Sequence, residues 1–83
     1  MFHIEILRHD NAVRVTDTET HWTRYFRAEK NEGCYMGIDD DNPNFLRVVS
    51  RKYTSSGILV QTDMVAAFPI NMTFITDDSE TNP

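Results

Sequence analysis

Alternation of apolar and polar residues at a period of two is the feature that most constrains this chain. It is strictest over residues 68–74, where the apolar members are Phe68, Ile70, Met72 and Phe74. The same pattern recurs over residues 2–6 and 13–15, on either side of a turn candidate at 9–11. Because successive side chains of a strand point to opposite faces of a sheet, the pattern predicts half-buried strands, the first two forming a hairpin. A further strand is predicted to begin at 58–60.

The chain has the length of one domain. With 83 residues, it should bury about 64% of the surface of its unfolded chain, which allows a small core. Residues 1–76 are therefore predicted to form a single β-rich domain. Residues 77–83 are polar, acidic and terminal, and we expect them to be a disordered tail.

One segment favours a helix. Its apolar residues recur at helical spacing, as Phe45, Val48, Val49 and Tyr53. Residues suited to the two ends of a helix flank this pattern, namely Asp41 or Asn42 as cap, Pro43 at the first position, and Arg51 and Lys52 near the end. We therefore predict a helix at about 43–54. The predicted fold class is α+β, a small antiparallel β-sheet with one helix packed on it, and a mostly β fold is the alternative.

Residues 18–30 fit either of two structures. A cap at 17 or 18 and the helical spacing of the aromatic residues at 22, 25 and 26 favour a helix. Abundant threonine and aromatic residues favour a strand. We prefer the strand, followed by a hairpin loop at 30–33 and a short strand over 34–38. Since these connections are short, a mostly parallel sheet is disfavoured.

The acidic charge of the chain disfavours nucleic acids and anionic membranes as partners. The net charge is −5 and the isoelectric point is near 4.9, whereas nucleic acids and anionic membranes attract basic proteins. No apolar run is long enough to cross a bilayer, and the first residues lack the pattern of a signal peptide. Cys34 is the only cysteine, which is typical of a reducing compartment. These features predict a cytoplasmic protein.

No catalytic or cofactor motif stands out. Nothing in the sequence places a histidine beside Cys34, and the histidines and cysteine lack the spacing of a metal site. The acidic run Asp39–Asp41 lacks the glycine and the closing glutamate of a calcium loop. Phosphate-binding loops need more glycine than the three residues Gly33, Gly37 and Gly57 provide. We expect no enzyme activity, no cofactor and no metal.

Arginine and aromatic residues form two clusters, the first over residues 21–27 and the second over residues 47–53. This is the most informative pattern among the candidate functional residues. Together with the acidic run, they supply the candidate binding residues Trp22, Arg24, Tyr25, Arg27, Arg47, Arg51, Lys52, Asp39, Asp40 and Asp41. The simplest interpretation is that the aromatic rings are partly buried and the cations solvated. The same composition is typical of protein interfaces and of single-stranded nucleic-acid sites.

Taken together, these observations predict a non-enzymatic protein-binding module. It would act as a small inhibitor or adaptor that covers a surface of a larger protein, with basic, nucleic-acid-processing proteins as candidates because opposite charge speeds encounter. Phage-encoded inhibitors of host machinery have this kind of composition. The alternatives are a self-associating structural subunit, which would dimerise through the apolar strand Phe68–Ile75, and a single-stranded nucleic-acid binder.

Overall fold

The structure, a computed structural model, describes residues 1–28 and 33–78. Its elements are β1 (Phe2–Leu7), β2 (Ala12–Asp17), β3 (Thr23–Arg27), β4 (Cys34–Asp39), β5 (Phe45–Tyr53), β6 (Leu59–Pro69) and β7 (Thr73–Asp77). Short 3₁₀ turns at Arg8–Asp10 and Ile70–Met72 precede β2 and β7. The described residues contain no α-helix. The fold is therefore nearly all β.

The strands form two sheets. The first sheet has the order β3-β2-β1-β7, and the second has the order β4-β5-β6. Neighbouring strands are antiparallel except for β1 and β7, which are parallel. The N-terminal hairpin predicted from the alternation is confirmed as β1 and β2. The expected single antiparallel sheet is wrong, since β7 makes the first sheet mixed and β4 starts a second sheet.

The core lies between the two sheets. It consists of Ile4, Val13 and Val15 from the first sheet and Leu46, Val48 and Phe68 from the second. Cross-strand partners meet within each sheet, as with Ile4 opposite Val15 and Leu46 opposite Phe68. The rings of Phe2 and Phe68 lie 5.0 Å apart across the two sheets. Period two therefore supplies the apolar face of each sheet, as expected for strands packed on one side.

The predicted helix at 43–54 is wrong, and with it the α+β fold class. These residues form β5, the central strand of the second sheet, with β4 and β6 on its two sides. Leu46 and Val48 face the core, and both Val48 and Val49 are buried. Asn42, the candidate helix cap, stabilises a turn instead, because the Asn42 Oδ1 atom accepts hydrogen bonds from the N–H groups of Asn44 and Phe45. Pairing with two strands outweighs the helical spacing, which is a weak preference.

The segment at 18–30 is partly a strand. Thr23–Arg27 forms β3 and pairs with β2, while residues 18–20 form a turn. Asp17 was a candidate helix cap, yet its side chain accepts from the N–H of Glu19 at 2.9 Å and closes this turn. The hairpin loop predicted at 30–33 lies outside the described residues except for Gly33.

The strand predicted over 68–75 is divided between two sheets. β6 ends at Pro69, the 3₁₀ turn follows, and β7 begins at Thr73. The Thr73 hydroxyl donates to the Pro69 carbonyl at 2.6 Å and closes this turn. β7 runs through Asp77, which forms an ion pair with Arg8 at 2.7 Å. The rest of the predicted tail, residues 79–83, lies outside the described residues.

Candidate functional site

Each sheet has two edge strands, and their exposed backbone groups differ in how they are protected. An edge strand offers unpaired N–H and C=O groups that can pair with another chain unless they are covered. The edge of β4 is covered by two side chains. Asn11 Nδ2 donates to the Cys34 carbonyl at 2.8 Å, and Asn11 Oδ1 accepts from the Met36 N–H at 2.9 Å. Arg51 Nη2 donates to the Ile38 carbonyl at 3.0 Å.

The two edges of the first sheet are short. β3 and β7 each have five residues. β3 carries two arginines, Arg24 and Arg27, and charged residues on an edge strand oppose pairing with a further strand. β7 ends at Asp77, where the Arg8 guanidinium holds the carboxylate. Neither edge offers a long uncharged strand to a partner.

β6 is the exception among the four edges. It has 11 residues and a single charged one, Asp63. Large apolar side chains are exposed along it and just before it, namely Ile58 (63%), Leu59 (48%), Val60 (56%), Met64 (61%) and Val65 (44%). We call these five residues the β6 strip. Long, exposed and nearly uncharged edges of this kind are prone to pair with another chain.

Two bulges interrupt the β6 strip. The register with β5 skips Val65, between the pairs Val48–Ala66 and Val49–Met64. It skips Val60 in the same way, next to the pair Lys52–Gln61. Bulges disturb the regular hydrogen-bond pattern of an edge. A strand of a partner chain could therefore pair with regular β6 backbone only over residues 61–64 and 66–69. Apolar side chains would have to supply much of the contact.

The structure brings part of the arginine-aromatic pattern next to the β6 strip. Tyr25 and Arg27 of β3 line a shallow cleft of about 430 Å³ together with Asp63 and Val65 of β6. Tyr25 is exposed, and so is Arg27. The cleft therefore joins two of the predicted binding residues to the β6 strip as one surface.

Arg24 of β3 contacts two aromatic rings, one of which belongs to the predicted binding residue Trp22. The Arg24 guanidinium lies 4.7 Å from the centre of the Phe26 ring and 5.9 Å from that of Trp22. Such cation–π contacts at exposed sites are worth about 0.5–1 kcal/mol. They hold the Arg24 side chain against its own strand.

The second predicted cluster lies on the other sheet. Arg47, Arg51 and Lys52 are on β5, whereas the first cluster is on or next to β3. Arg47 forms an ion pair with Asp39 at 3.0 Å, and its Nε is buried without a hydrogen-bond partner. The pKa of Asp39 is lowered, first by the hydrogen bond from the Asp41 N–H and also by the positive charge of Arg47. Two of the three cations thus have partners within the second sheet, since Arg51 donates to the Ile38 carbonyl of β4.

The acidic run and Cys34 show no arrangement that indicates chemistry. Asp40 and Asp41 are exposed in the loop before β5, and Cys34 is half-buried at the start of β4. Over residues 1–28 and 33–78, no group of three histidine, cysteine or acidic side chains is placed to hold a metal ion. The same part of the chain has no helix of the length and hydropathy that spanning a membrane requires.

Sequence reasoning missed the β6 strip. It noted residues 58–60 as the start of a strand but assigned the partner-binding edge to 68–75. The sequence feature that indicates this strip is the low charge of residues 58–69, in which Asp63 is the only charged residue. Apolar residues alone do not show whether a strand is central or at an edge.

Comparison of the chain with protein-family models, with curated proteins and with solved structures gives no match.

Proposed function

We propose that this protein is a non-enzymatic binding module that covers a surface of a larger protein through the β6 strip. The observation that carries the proposal is the exposed, nearly uncharged edge strand β6, which has one charged residue among 11. In this proposal the protein acts as an inhibitor or adaptor in the cytoplasm.

The area of the β6 strip suits part of a protein interface. Burying the exposed parts of its five side chains removes roughly 400 Å² from water, worth roughly 10 kcal/mol before the cost of association. A standard interface buries about 800 Å² on each partner. The remainder would come from the neighbouring cleft, where Tyr25 and Arg27 lie beside Val65. An apolar centre with a polar rim is the usual anatomy of such interfaces.

The charge of the chain supports a basic partner. The net charge is −5, and Asp63 lies on β6 next to Met64 of the β6 strip. Complementary charge raises the rate at which two proteins associate, and added salt weakens this effect. The partner surface should therefore be apolar at its centre and carry lysine or arginine around it.

The test is quantitative capture from a native lysate with paired variants. Val60→Lys/Met64→Lys places two charges in the β6 strip, and Met72→Lys/Phe74→Lys places two charges on residues of similar exposure outside it. We expect a stoichiometric protein that survives nuclease treatment, is lost with the first variant and is retained with the second. Equal capture by both variants, or loss of capture by both, would count against the β6 strip.

Self-association is the second candidate, because a second copy also presents the uncharged backbone of residues 66–69. Light scattering over a range of concentrations distinguishes the two. A dimer that Val60→Lys/Met64→Lys converts to a monomer favours self-association. If the protein is a monomer at every concentration, self-association is ruled out and binding to a larger protein remains the proposal.

A further inference from the structure

A second concave site lies between the turn after β1 and the β4–β5 pair, and β4 is the edge of the second sheet opposite to β6. It is a cleft of about 320 Å³. Its lining includes apolar Leu7, Ala12 and Met36 and polar Arg51, Tyr35 and Tyr53. We call it the Arg51 cleft. Polar and apolar groups contribute about equally to this lining, and the volume is at the lower end of the range of small-molecule sites.

Arg51 reaches the cleft because Gly37 has no side chain. Gly37 and Arg51 lie on neighbouring strands, and a Cβ atom added at Gly37 would come within 2.7 Å of Arg51 Nη1. The guanidinium therefore lies across β4, where Nη2 donates to the Ile38 carbonyl at 3.0 Å. A longer residue at 37 would displace it.

Arg51 differs from three other arginines in forming no direct ion pair with a carboxylate of the described residues, although its charge helps to lower the pKa of Asp39. Arg8, Arg14 and Arg47 each form an ion pair with an acidic side chain. Among the described residues, no carboxylate oxygen lies within ion-pair distance of Arg51. One carbonyl occupies one of the five N–H groups of its guanidinium. The remaining groups can bind an anion.

Hydrogen bonds and a contact between two aromatic rings hold the walls of the cleft in place. Asn11 ties the turn after β1 to the backbone of β4 through its contacts with Cys34 and Met36. The rings of Tyr35 and Tyr53 meet edge to face at 5.9 Å. A cleft formed before binding loses less entropy when a ligand enters.

We propose that the Arg51 cleft binds a small organic anion, with its carboxylate or phosphate group on the Arg51 guanidinium and its apolar body against Leu7, Ala12 and Met36. A guanidinium binds the two oxygens of such a group through parallel hydrogen bonds, which are strengthened by the charges. The cleft volume fits a body about the size of one aromatic ring. This site is separate from the β6 strip, so the two proposals stand or fall independently.

The test is a titration followed by amide NMR shifts, with phenyl phosphate and phenylacetate as probes. We expect saturable shifts over residues 35–38 and at Arg51 for one or both probes, and the tighter probe identifies the anion. Inorganic phosphate and phenol, which each lack one half of the ligand, should bind at least about tenfold more weakly because affinity needs both parts.

Variants assign the binding to Arg51. Arg51→Gln should weaken the tighter probe by about tenfold or more, as expected for loss of a charged hydrogen bond. Arg51→Lys keeps the charge without the paired donors and should weaken it less. Arg24→Gln removes the same charge from an exposed residue that lines neither cleft, and it should change the dissociation constant less than about twofold.

Three results would overturn the proposal. They are no saturable shift with either probe, unchanged affinity in both Arg51→Gln and Arg51→Lys, and equal binding by inorganic phosphate alone. If Arg51→Gln loses its dispersed spectrum, Arg51→Lys decides the outcome, with unchanged affinity counting against the proposal.

Discussion

The Asn11 side chain accepts a hydrogen bond from the Met36 N–H at 2.9 Å and so fastens the first sheet to the edge of the second. Asn11 also donates to the Cys34 carbonyl at 2.8 Å. Its backbone has φ of 50°, in the left-handed region. Asparagine enters that region more readily than most residues. One residue thus closes the turn after β1 and covers β4.

Asn11→Ala should lower the free energy of unfolding by about 2–4 kcal/mol. It removes two partly buried hydrogen bonds and leaves two β4 backbone groups without partners, each worth about 1 kcal/mol or more. Asn11→Gly is the matched control, because glycine accepts the positive φ and loses only the side-chain contacts. Urea denaturation measures both. Stability equal to the wild type in Asn11→Gly would show that these contacts contribute little.

Gly33 and Gly57 should respond very differently to alanine. Both have positive φ, 83° and 87°. A Cβ at Gly33 would collide with the Tyr53 carbonyl oxygen, whereas a Cβ at Gly57 has nothing within 4 Å. We expect Gly57→Ala to cost about 1 kcal/mol from backbone strain alone, and Gly33→Ala to cost about 3 kcal/mol or more. Thermal unfolding measures the two costs, and similar values would contradict the collision at Gly33.

The Glu5–Arg14 pair should make stability depend on pH in the acid range. Arg14 Nε and Nη2 donate to the two carboxylate oxygens of Glu5 at 2.9 and 2.7 Å. The hydrogen bond from Arg14 lowers the pKa of Glu5 below its ordinary value of 4.5. The folded-state pKa is therefore below the unfolded one. The pair stabilises the fold above the unfolded pKa, and that contribution disappears as pH falls through the folded pKa.

Glu5→Gln should reduce the loss of stability below about pH 5 and cost about 0.5–1 kcal/mol at neutral pH, since the pair is only partly buried. Arg14→Gln should reduce the same part of the profile. The double variant should add little to either single change. Urea midpoints between neutral and acid pH give the profile, and an unchanged acid loss in Glu5→Gln would contradict this assignment.

Val48 and Val60 contrast a core position with a position in the β6 strip. Val48 is fully buried among the core residues, and Val60 is 56% exposed. Val48→Ala should cost about 2–3 kcal/mol because it leaves a cavity. Val60→Ala should change stability by about 0.5 kcal/mol or less. Chemical denaturation compares them, and a large cost at Val60 would show that the strip is needed for folding rather than available to a partner.

The N-terminal hairpin and the inward faces of its strands follow from the local residue pattern alone. Ile4, Val13 and Val15 alternate with polar residues, and a strand has no other way to place all three in a core. The preference for a strand at 23–27 followed from residue types that lose little freedom in extended backbone. These are local properties, so short stretches of sequence suffice to reveal them.

The remaining features of the fold depend on contacts between strands that are distant in the sequence. Residues 45–53 have both a helical spacing and a strand-like content of valine, and pairing with β4 and β6 selected the strand. Position within the sheet decided the candidate site as well. Val60 on β6 and Val48 on β5 are the same residue type in similar apolar runs, yet β5 has neighbours on both sides and β6 on one. Exposure depends on which strands lie adjacent, and that depends on contacts between residues far apart in the chain.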